Sequence, residues 1–496
     1  MLSVINLENK RELFVDYHLI DDMNGASLKL HNPVSAGQAI KYDQPWETDE
    51  TGSGSFYTNI FQDGDVYRMY YRGHSTLLCY AESKDGINWY RPNLGLIDYE
   101  GSDQNNIIMK LRELGSGFGA FLDTNPNSSK SQRIKGNMRG LWDDSTNSSN
   151  LYGYATADST NWNQIQDDPI ILGSLPNHWD AQNIIFWSEA ESKYVIYARC
   201  IVGGDGKLEK NWEDVAKEIF DKPDERGVPR FRSTARATSS DFFNWSEFTP
   251  MEYSDTGSMT PSAQLYTNQT TPYFRANHIY ISLPGRIFFK RMKKYDIPED
   301  GFENMDGFEK YKYYGDTSDG AFMTTRAGSN RYDFTFRESF LKPGIGDENW
   351  TTRNNYPACG VIQTSSTEMS IFIQRHYAQP SAYLERMTLR LDGFASLNAG
   401  YDEGEMTTKT LDFTGNKLEL NYSTSAAGRI RVEMLDESGD PLEGYGIDDC
   451  DGLIGDEISG YVSWKGSTDL SKISGKPVKV RFVMNDADIY SLRFSD

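Results

Sequence analysis

The run W-D-A-Q-N at Trp179 to Asn183 sets an acid, two amides and an indole side by side, directly before the apolar strand I-I-F-W. A carboxyl group can move a proton, the planar amides of Gln182 and Asn183 can pair with hydroxyls, and the Trp179 ring offers a flat apolar face. That set suits a sugar, with Asp180 as the proton-transfer group. Asp123, in F-L-D-T-N-P, emerges from the apolar run Phe118 to Leu122 and so belongs at a strand end. Fixing a turn with Thr124 and Asn125 would use it equally well. Glu47, in P-W-E beside Trp46, precedes S-F-Y-T-N-I-F and is a third candidate, with Asp22 in D-D-M-N-G held in reserve.

Arginine ends the second strand of a recurring hairpin, at Arg72 in Y-R-M-Y-Y-R, Arg139 in I-K-G-N-M-R, Arg199 in Y-V-I-Y-A-R and Arg375 in S-I-F-I-Q-R. Two uses fit. Each could pair with an acid of a neighbouring sheet, a brace that also lowers that acid's pKa. Alternatively they ring a pocket for an anionic sugar, uronate or sulfated, since the guanidinium fork matches both groups. P-Y-F-R-A-N-H supplies Tyr273, Arg275 and His278, and R-H-Y supplies Arg375 and His376. Lone histidines usually serve structure, but both stand beside an arginine near a strand end and could bind a sugar hydroxyl.

These residues must be positioned by short strands. In S-K-D-G-I-N-W, Ser83 and Asp85 can bond backbone N–H groups, Gly86 takes a positive φ, and Trp89 packs between sheets. The layout returns at Ala155 to Trp162 and Ala237 to Trp245, and more weakly, with Phe for Trp, at Thr325 to Phe334 and Leu389 to Phe394. The aromatic ends are 73, 83, 89 and 60 residues apart, spacings that fit four-stranded blades with long loops. The fold expected is therefore all-β: a five-bladed β-propeller over residues 1–405, in which 1–50 is a closing segment with Phe14 to Asp21 as its strand. The pattern changes near Tyr401, and residues 406–496, with alternating segments such as K-L-E-L-N-Y and V-K-V-R-F-V, read as a C-terminal β-sandwich.

Composition agrees. Aromatic residues make up 13% of the chain, 43 glycines punctuate it, and no amphipathic helical pattern is sustained. A net charge of −22 over 496 residues excludes a nucleic-acid or anionic-membrane partner that needs a basic face. No apolar run reaches membrane-spanning length. Cys79, Cys200, Cys359 and Cys450 are scattered, so neither a disulfide framework nor a zinc site is expected, and nothing has the spacing of another metal or cofactor site. The first ten residues lack the layout of an export signal. The chain thus reads as cytoplasmic unless a leader precedes it, and as periplasmic or extracellular if one does.

Through the S-K-D-G-I-N-W turn and its copies, the aromatic strands before them and the trailing β-sandwich, the chain resembles the five-bladed propeller glycoside hydrolases, the broad group of invertases, arabinanases and β-xylosidases. Through P-W-E, F-L-D-T-N-P, W-D-A-Q-N and the final A-D-I-Y-S-L-R-F it is also similar to a bacterial group described as family-32-like. The invertase signatures N-D-P-N-G and R-D-P are absent, and D-D-M-N-G is a partial echo of the first. The resemblance implies a glycosidase, exo-acting on a poly- or oligosaccharide, with carboxylates at the axial ends of the inner strands of the first three blades. By blade position Asp180 would be the acid, Asp123 its modulator, and Glu47 or Asp22 the base or nucleophile. Two other readings stay open: a six-bladed sialidase-like enzyme using an arginine cluster and a tyrosine nucleophile, and a carbohydrate-binding propeller without turnover.

Overall fold

The computed structural model describes residues 4–49, 53, 55–74, 77–111, 116–142, 149–173, 179, 182–208, 230–289, 291, 316–351 and 353–496. Across them the chain is all-β, relieved by short 3-10 turns such as Lys130–Gln132 and Asp347–Asn349. It divides into two compact units, one of Val34–Ser365 with Met369–Thr388, the other of Met1–Pro33, Ser366–Glu368 and Leu389–Asp496. The boundary therefore differs from the one read at residue 405, and the first 33 residues go with the C-terminal part.

The larger unit is a succession of antiparallel sheets. The first joins Phe56–Asp63, Val66–Arg72, Leu77–Ser83 and Ile107–Lys110; the second Ser116–Leu122, Ile134–Arg139, Leu151–Thr156 and Asn163–Gln164; the third Ile184–Ser188, Lys193–Gly203, Arg230–Ser239 and Thr249–Pro250. The fourth is broken midway. Gly285–Phe289 pairs with Gln264–Leu265 on one side and Asp316–Gly320 on the other, while Ala276–Ser282 pairs with Thr271–Tyr273 and Met323–Arg326. The break falls at Pro284, which has no N–H for the ladder. The last sheet joins Ile362–Gln363, Glu368–Arg375 and Tyr383–Arg390, and its outer strand is Val34–Lys41 from the start of the chain. The fourth strand of this sheet is thus Val34–Lys41, with Ile40 opposite Leu384, and not Phe14 to Asp21.

Locally the turn chemistry explains the strand spacing. The Ser83 hydroxyl accepts from the Gly86 N–H at 2.9 Å, and Asp85 accepts from the Ile87 and Asn88 N–H groups at 2.8 Å each. Thr156 with Asp158, and Ser239 with Asp241, repeat these bonds. The positive-φ position is Gly86 in the first copy but Ser159 and Phe242 in the others. Trp89 meets Phe372 of the last sheet edge-on at 5.9 Å, and Trp162 meets Tyr70 of the first sheet at 5.5 Å, so these tryptophans do pack between sheets. The Asp392 turn of the fifth copy, by contrast, belongs to the smaller unit.

The first strands of the sheets are tied together by buried amides. Gln182 donates to the Tyr57 carbonyl, to Asn59 Oδ1 at 2.6 Å and to the Phe118 carbonyl; Gln269 donates to Gln182 Oε1 and to the Pro357 carbonyl. Cys359 and Ile60 add backbone bonds between the last and first sheets, at a contact so close that a Cβ on Gly360 would lie 1.9 Å from the Ile60 oxygen. All four cysteines are buried and free.

The smaller unit has one extensive sheet built on two long strands, Lys417–Leu435 and Lys479–Ser495, whose register shifts at Thr424 to Arg429. Leu418, Leu420, Val432, Phe482, Leu492 and Phe494 form its core. Arg11 is held inside by Glu419 and the Ser491 hydroxyl. Among the described residues no helix is long and apolar enough to cross a membrane.

Candidate functional site

Register decides which side chains can meet. Arg72 stands opposite Phe56, Arg139 opposite Ser116 and Arg286 opposite Leu265, so each marks the starting edge of a first strand. Arg199 lies two residues beyond the pair Tyr197 and Ile184, at the same edge, and Arg375 follows Gln374, whose backbone bonds Asn355 and Tyr356.

At this edge arginines and aromatic rings interleave. The Arg72 guanidinium lies 3.8 Å from the Phe56 ring centre and 5.5 Å from that of Tyr57; Arg232 lies 5.6 Å from Tyr266. Tyr266 stacks on Tyr356 at 5.0 Å, its hydroxyl 3.5 Å from that of Tyr57, and Phe56 meets Tyr377 edge-on at 5.2 Å. Burial works against the charge of Arg353, yet the hydroxyls of Tyr266, Tyr377, Tyr356 and Tyr57 hold its pKa above the ordinary guanidinium value. Burial also pushes the Tyr356 phenol well up, with Tyr266 and Asp316 adding to the effect and Arg353 and Arg232 opposing it. One neighbourhood therefore holds Tyr57, Arg72, Arg232, Tyr266, Asp316, Arg353, Tyr356 and Tyr377.

Its backbone is strained. Tyr57, Gln269, Arg353, Asn355, His376 and Ala378 all have positive φ, between 49° and 61°. Non-glycine residues in this region cost energy and concentrate at functional sites.

The residues singled out in the sequence are distributed differently. Asp180 is outside the described residues. Its neighbours Gln182 and Asn183 are buried in the amide network, Asn183 accepting from Asn137 at 3.1 Å, and Trp179 is buried edge-on to Phe248 at 5.4 Å. Glu47 has no exposed surface. Tyr71 donates to it at 2.5 Å and Arg91 at 2.6 Å, and burial raises its pKa against the opposing pull of Arg91. Trp46 donates to Asn106 at 2.7 Å.

Asp123 follows the end of Ser116–Leu122, as the apolar run before it indicates. The apolar run before it is the first strand itself, which carries Asp123 to the edge opposite Arg139. There it is enclosed by Lys135 and by the Tyr194 hydroxyl at 2.8 Å. Asp123 thus lies at the edge away from Arg139, whereas Glu47, whose carbonyl accepts from Ser53 and Ser55 just before Phe56, lies at the edge of Arg72. Asp22 lies exposed on Ile20–Asn24 in the smaller unit. Tyr273, Arg275 and His278 surround the Thr271–Tyr273/Ala276–Ser282 hairpin, at the edge away from Arg286. Arg375 is committed within its own sheet to Glu385 at 2.6 Å and to Asn355 at 2.5 Å, and His376 pairs with Ser381 at 3.0 Å. Arg375 is therefore paired with an acid of its own sheet, not with one of a neighbouring sheet.

Sequence reasoning missed Arg232, Arg353 and the four tyrosines. Arg230, Arg232 and Arg236 alternate along one strand face, a period-two signal that marks Arg232. Arg353, in a loop, leaves no such trace. Among the described residues no group of three His, Cys, Asp or Glu side chains is placed to hold a metal ion.

No family model and no curated protein matches the chain. Solved structures with a similar arrangement include a glycoside hydrolase, 12% identical with a TM-score of 0.45, over 72% of this chain and 92% of that one. An N-acetylgalactosamine deacetylase from F. plautii in complex with blood group B trisaccharide is 9% identical, TM-score 0.44, over 75% and 97%. A family 43 arabinoxylan arabinofuranohydrolase from Bacillus subtilis in complex with cellotetraose is 12% identical, TM-score 0.39, over 93% and 99%.

Proposed function

We propose that the larger unit is a five-bladed β-propeller, that the smaller one is a β-sandwich, and that the protein is a glycoside hydrolase acting on an anionic saccharide at the starting edge of the first strands. The observation that carries this reading is the interleaving of Arg72, Arg232 and Arg353 with Tyr57, Tyr266, Tyr356 and Tyr377 over strained backbone, within a chain of net charge −22. Aromatic faces suit the apolar face of a sugar ring, and guanidinium groups suit a carboxylate or sulfate. Asp180, two residues before Gln182, is assigned as the proton donor, and Asp316 is a carboxylate whose charge reaches Tyr356 of the cluster.

Purified protein is tested on oligosaccharides carrying uronate or sulfate, each beside its neutral counterpart. The expected result is release of sugar from an anionic member, with turnover abolished and binding retained in Asp180→Asn, and a KM raised tenfold or more in Arg232→Leu. Preference for the neutral partners would overturn the anionic assignment, and binding without turnover would make this a carbohydrate-binding propeller.

The tyrosines favour a second reading, a sialidase-like hydrolase with a tyrosine nucleophile. Tyr266 is the candidate, because burial raises the pKa of Tyr356 and blunts its phenol as a nucleophile. Tyr266→Phe decides: loss of turnover with binding intact supports the tyrosine route, and retained turnover leaves the carboxylate route.

A further inference from the structure

Beside the arginine and tyrosine cluster lies a recess of about 10 Å³ lined by Phe56, Tyr57, Thr58, Gln269, Tyr356 and Gln374 among others. Its polar walls are unsatisfied. Gln374 is 2% exposed, yet neither its amide nitrogen nor its amide oxygen has a hydrogen-bond partner. The Gln269 Oε1 and Tyr356 hydroxyl atoms are likewise buried and unpartnered. Gln269 spends its nitrogen on Gln182 and Pro357, which fixes its oxygen in place, and its φ of 49° is strained. Tyr356 is fixed by stacking on Tyr266.

Buried polar atoms without partners destabilise a fold, and a native structure holds few of them. Four on the wall of one recess are a pre-formed set of two acceptors, one donor and one hydroxyl. The size is that of a single oxygen-centred group. A ring, a carboxylate or a sulfate is too large, and an apolar methyl would leave the amide unmatched. A hydroxyl fits on both counts, since it donates to Gln374 Oε1 or Gln269 Oε1 and accepts from Gln374 Nε2.

We propose that this recess receives one hydroxyl group of the saccharide bound at the neighbouring cluster, and that Gln374, with Gln269 and Tyr356, selects sugars carrying a hydroxyl at that position. This rests on the carbohydrate reading above. Recognition of this type discriminates strongly, because a ligand lacking the hydroxyl leaves the amide buried and unpaired once more.

Gln374→Met keeps the side-chain length and removes both polar atoms. Its unfolding midpoint is measured in plain buffer, and its kinetics are measured beside wild type on the saccharide panel and on monodeoxy analogues of the preferred sugar. The expected variant is as stable as wild type or more so. It has a KM raised tenfold or more on the parent sugar, and it has lost wild type's discrimination against one deoxy analogue. A variant that unfolds or melts well below wild type shows that Gln374 serves the fold, and overturns the proposal. A stable variant with unchanged kinetics and discrimination overturns it too, while the carbohydrate reading stands on wild-type activity. Wild type inert toward the whole panel overturns the carbohydrate reading and this proposal with it.

Discussion

Glu47 and Asp123 are acids in promising motifs whose oxygens are held by neighbouring side chains. A carboxylate with no exposed surface, gripped by Tyr71 and Arg91, has its acceptor capacity spent on neighbours. The pair is held because each charge answers the other's desolvation. Arg91→Ala leaves Glu47 buried without its cation and is expected to cost roughly 3–5 kcal/mol, read from a urea unfolding curve at neutral pH. Glu47→Gln with Arg91→Ala should recover part of that loss. If Arg91→Ala were neutral, Glu47 would not be the structural anchor that its contacts describe. Gln374 is the opposite case, a buried polar group whose neighbours leave it unanswered.

In the recurring turn, six or seven residues satisfy themselves. Around Asp241 the N–H groups of Asn244 and Phe243, the Asn244 amide and the Ser239 hydroxyl hold the carboxyl far below its ordinary value. For Asp85 and Asp158 some burial opposes the shift, but the same bonds prevail. A carboxyl depressed in the folded state contributes stability above its unfolded pKa, near 4, and loses it as pH falls through the folded value. The triple variant Asp85→Asn, Asp158→Asn, Asp241→Asn should therefore be less stable than wild type at pH 6, with the gap closing toward pH 2. Unfolding midpoints across that range test this, and a gap that stays constant would show that the bonds, not the charges, matter. The turn also tolerates Ser159 and Phe242 at its positive-φ position, so glycine there is a preference and not a requirement.

In the larger unit as a whole, the last sheet is completed by a strand drawn from far away in sequence. Val34–Lys41 pairs with Tyr383–Arg390, and Ile40, 5% exposed, packs in one core with Tyr42, Leu384 and Phe372. Ile40→Ala should cost roughly 2–5 kcal/mol by removing buried methylene groups and leaving a cavity. The loss should appear as earlier thermal unfolding of this unit and earlier proteolysis within it. An unchanged midpoint would mean that the closing strand adds nothing to stability.

Much of the architecture was legible in the chain because it is local. The Ser83, Thr156 and Ser239 turns carry their own hydrogen-bond partners within a few residues, and the apolar and aromatic runs before them, Tyr67 to Arg72 and Tyr194 to Arg199, are strands by composition alone. Sequence by itself therefore determined an all-β chain of repeated hairpins and placed Arg72, Arg139 and Arg375 at strand ends, whereas Arg199 lies inside Lys193–Gly203. Tertiary structure decided which end was which. A strand and its reverse look alike in sequence, so the edge at which Asp123 leaves its strand could not be matched to that of the arginines, and Val34–Lys41 carries no mark of the partner some 350 residues away. The cluster of Arg232, Arg353, Tyr266 and Tyr356, and the unanswered amide of Gln374, exist only once distant strands converge, because proximity between sheets has no period for a sequence to display.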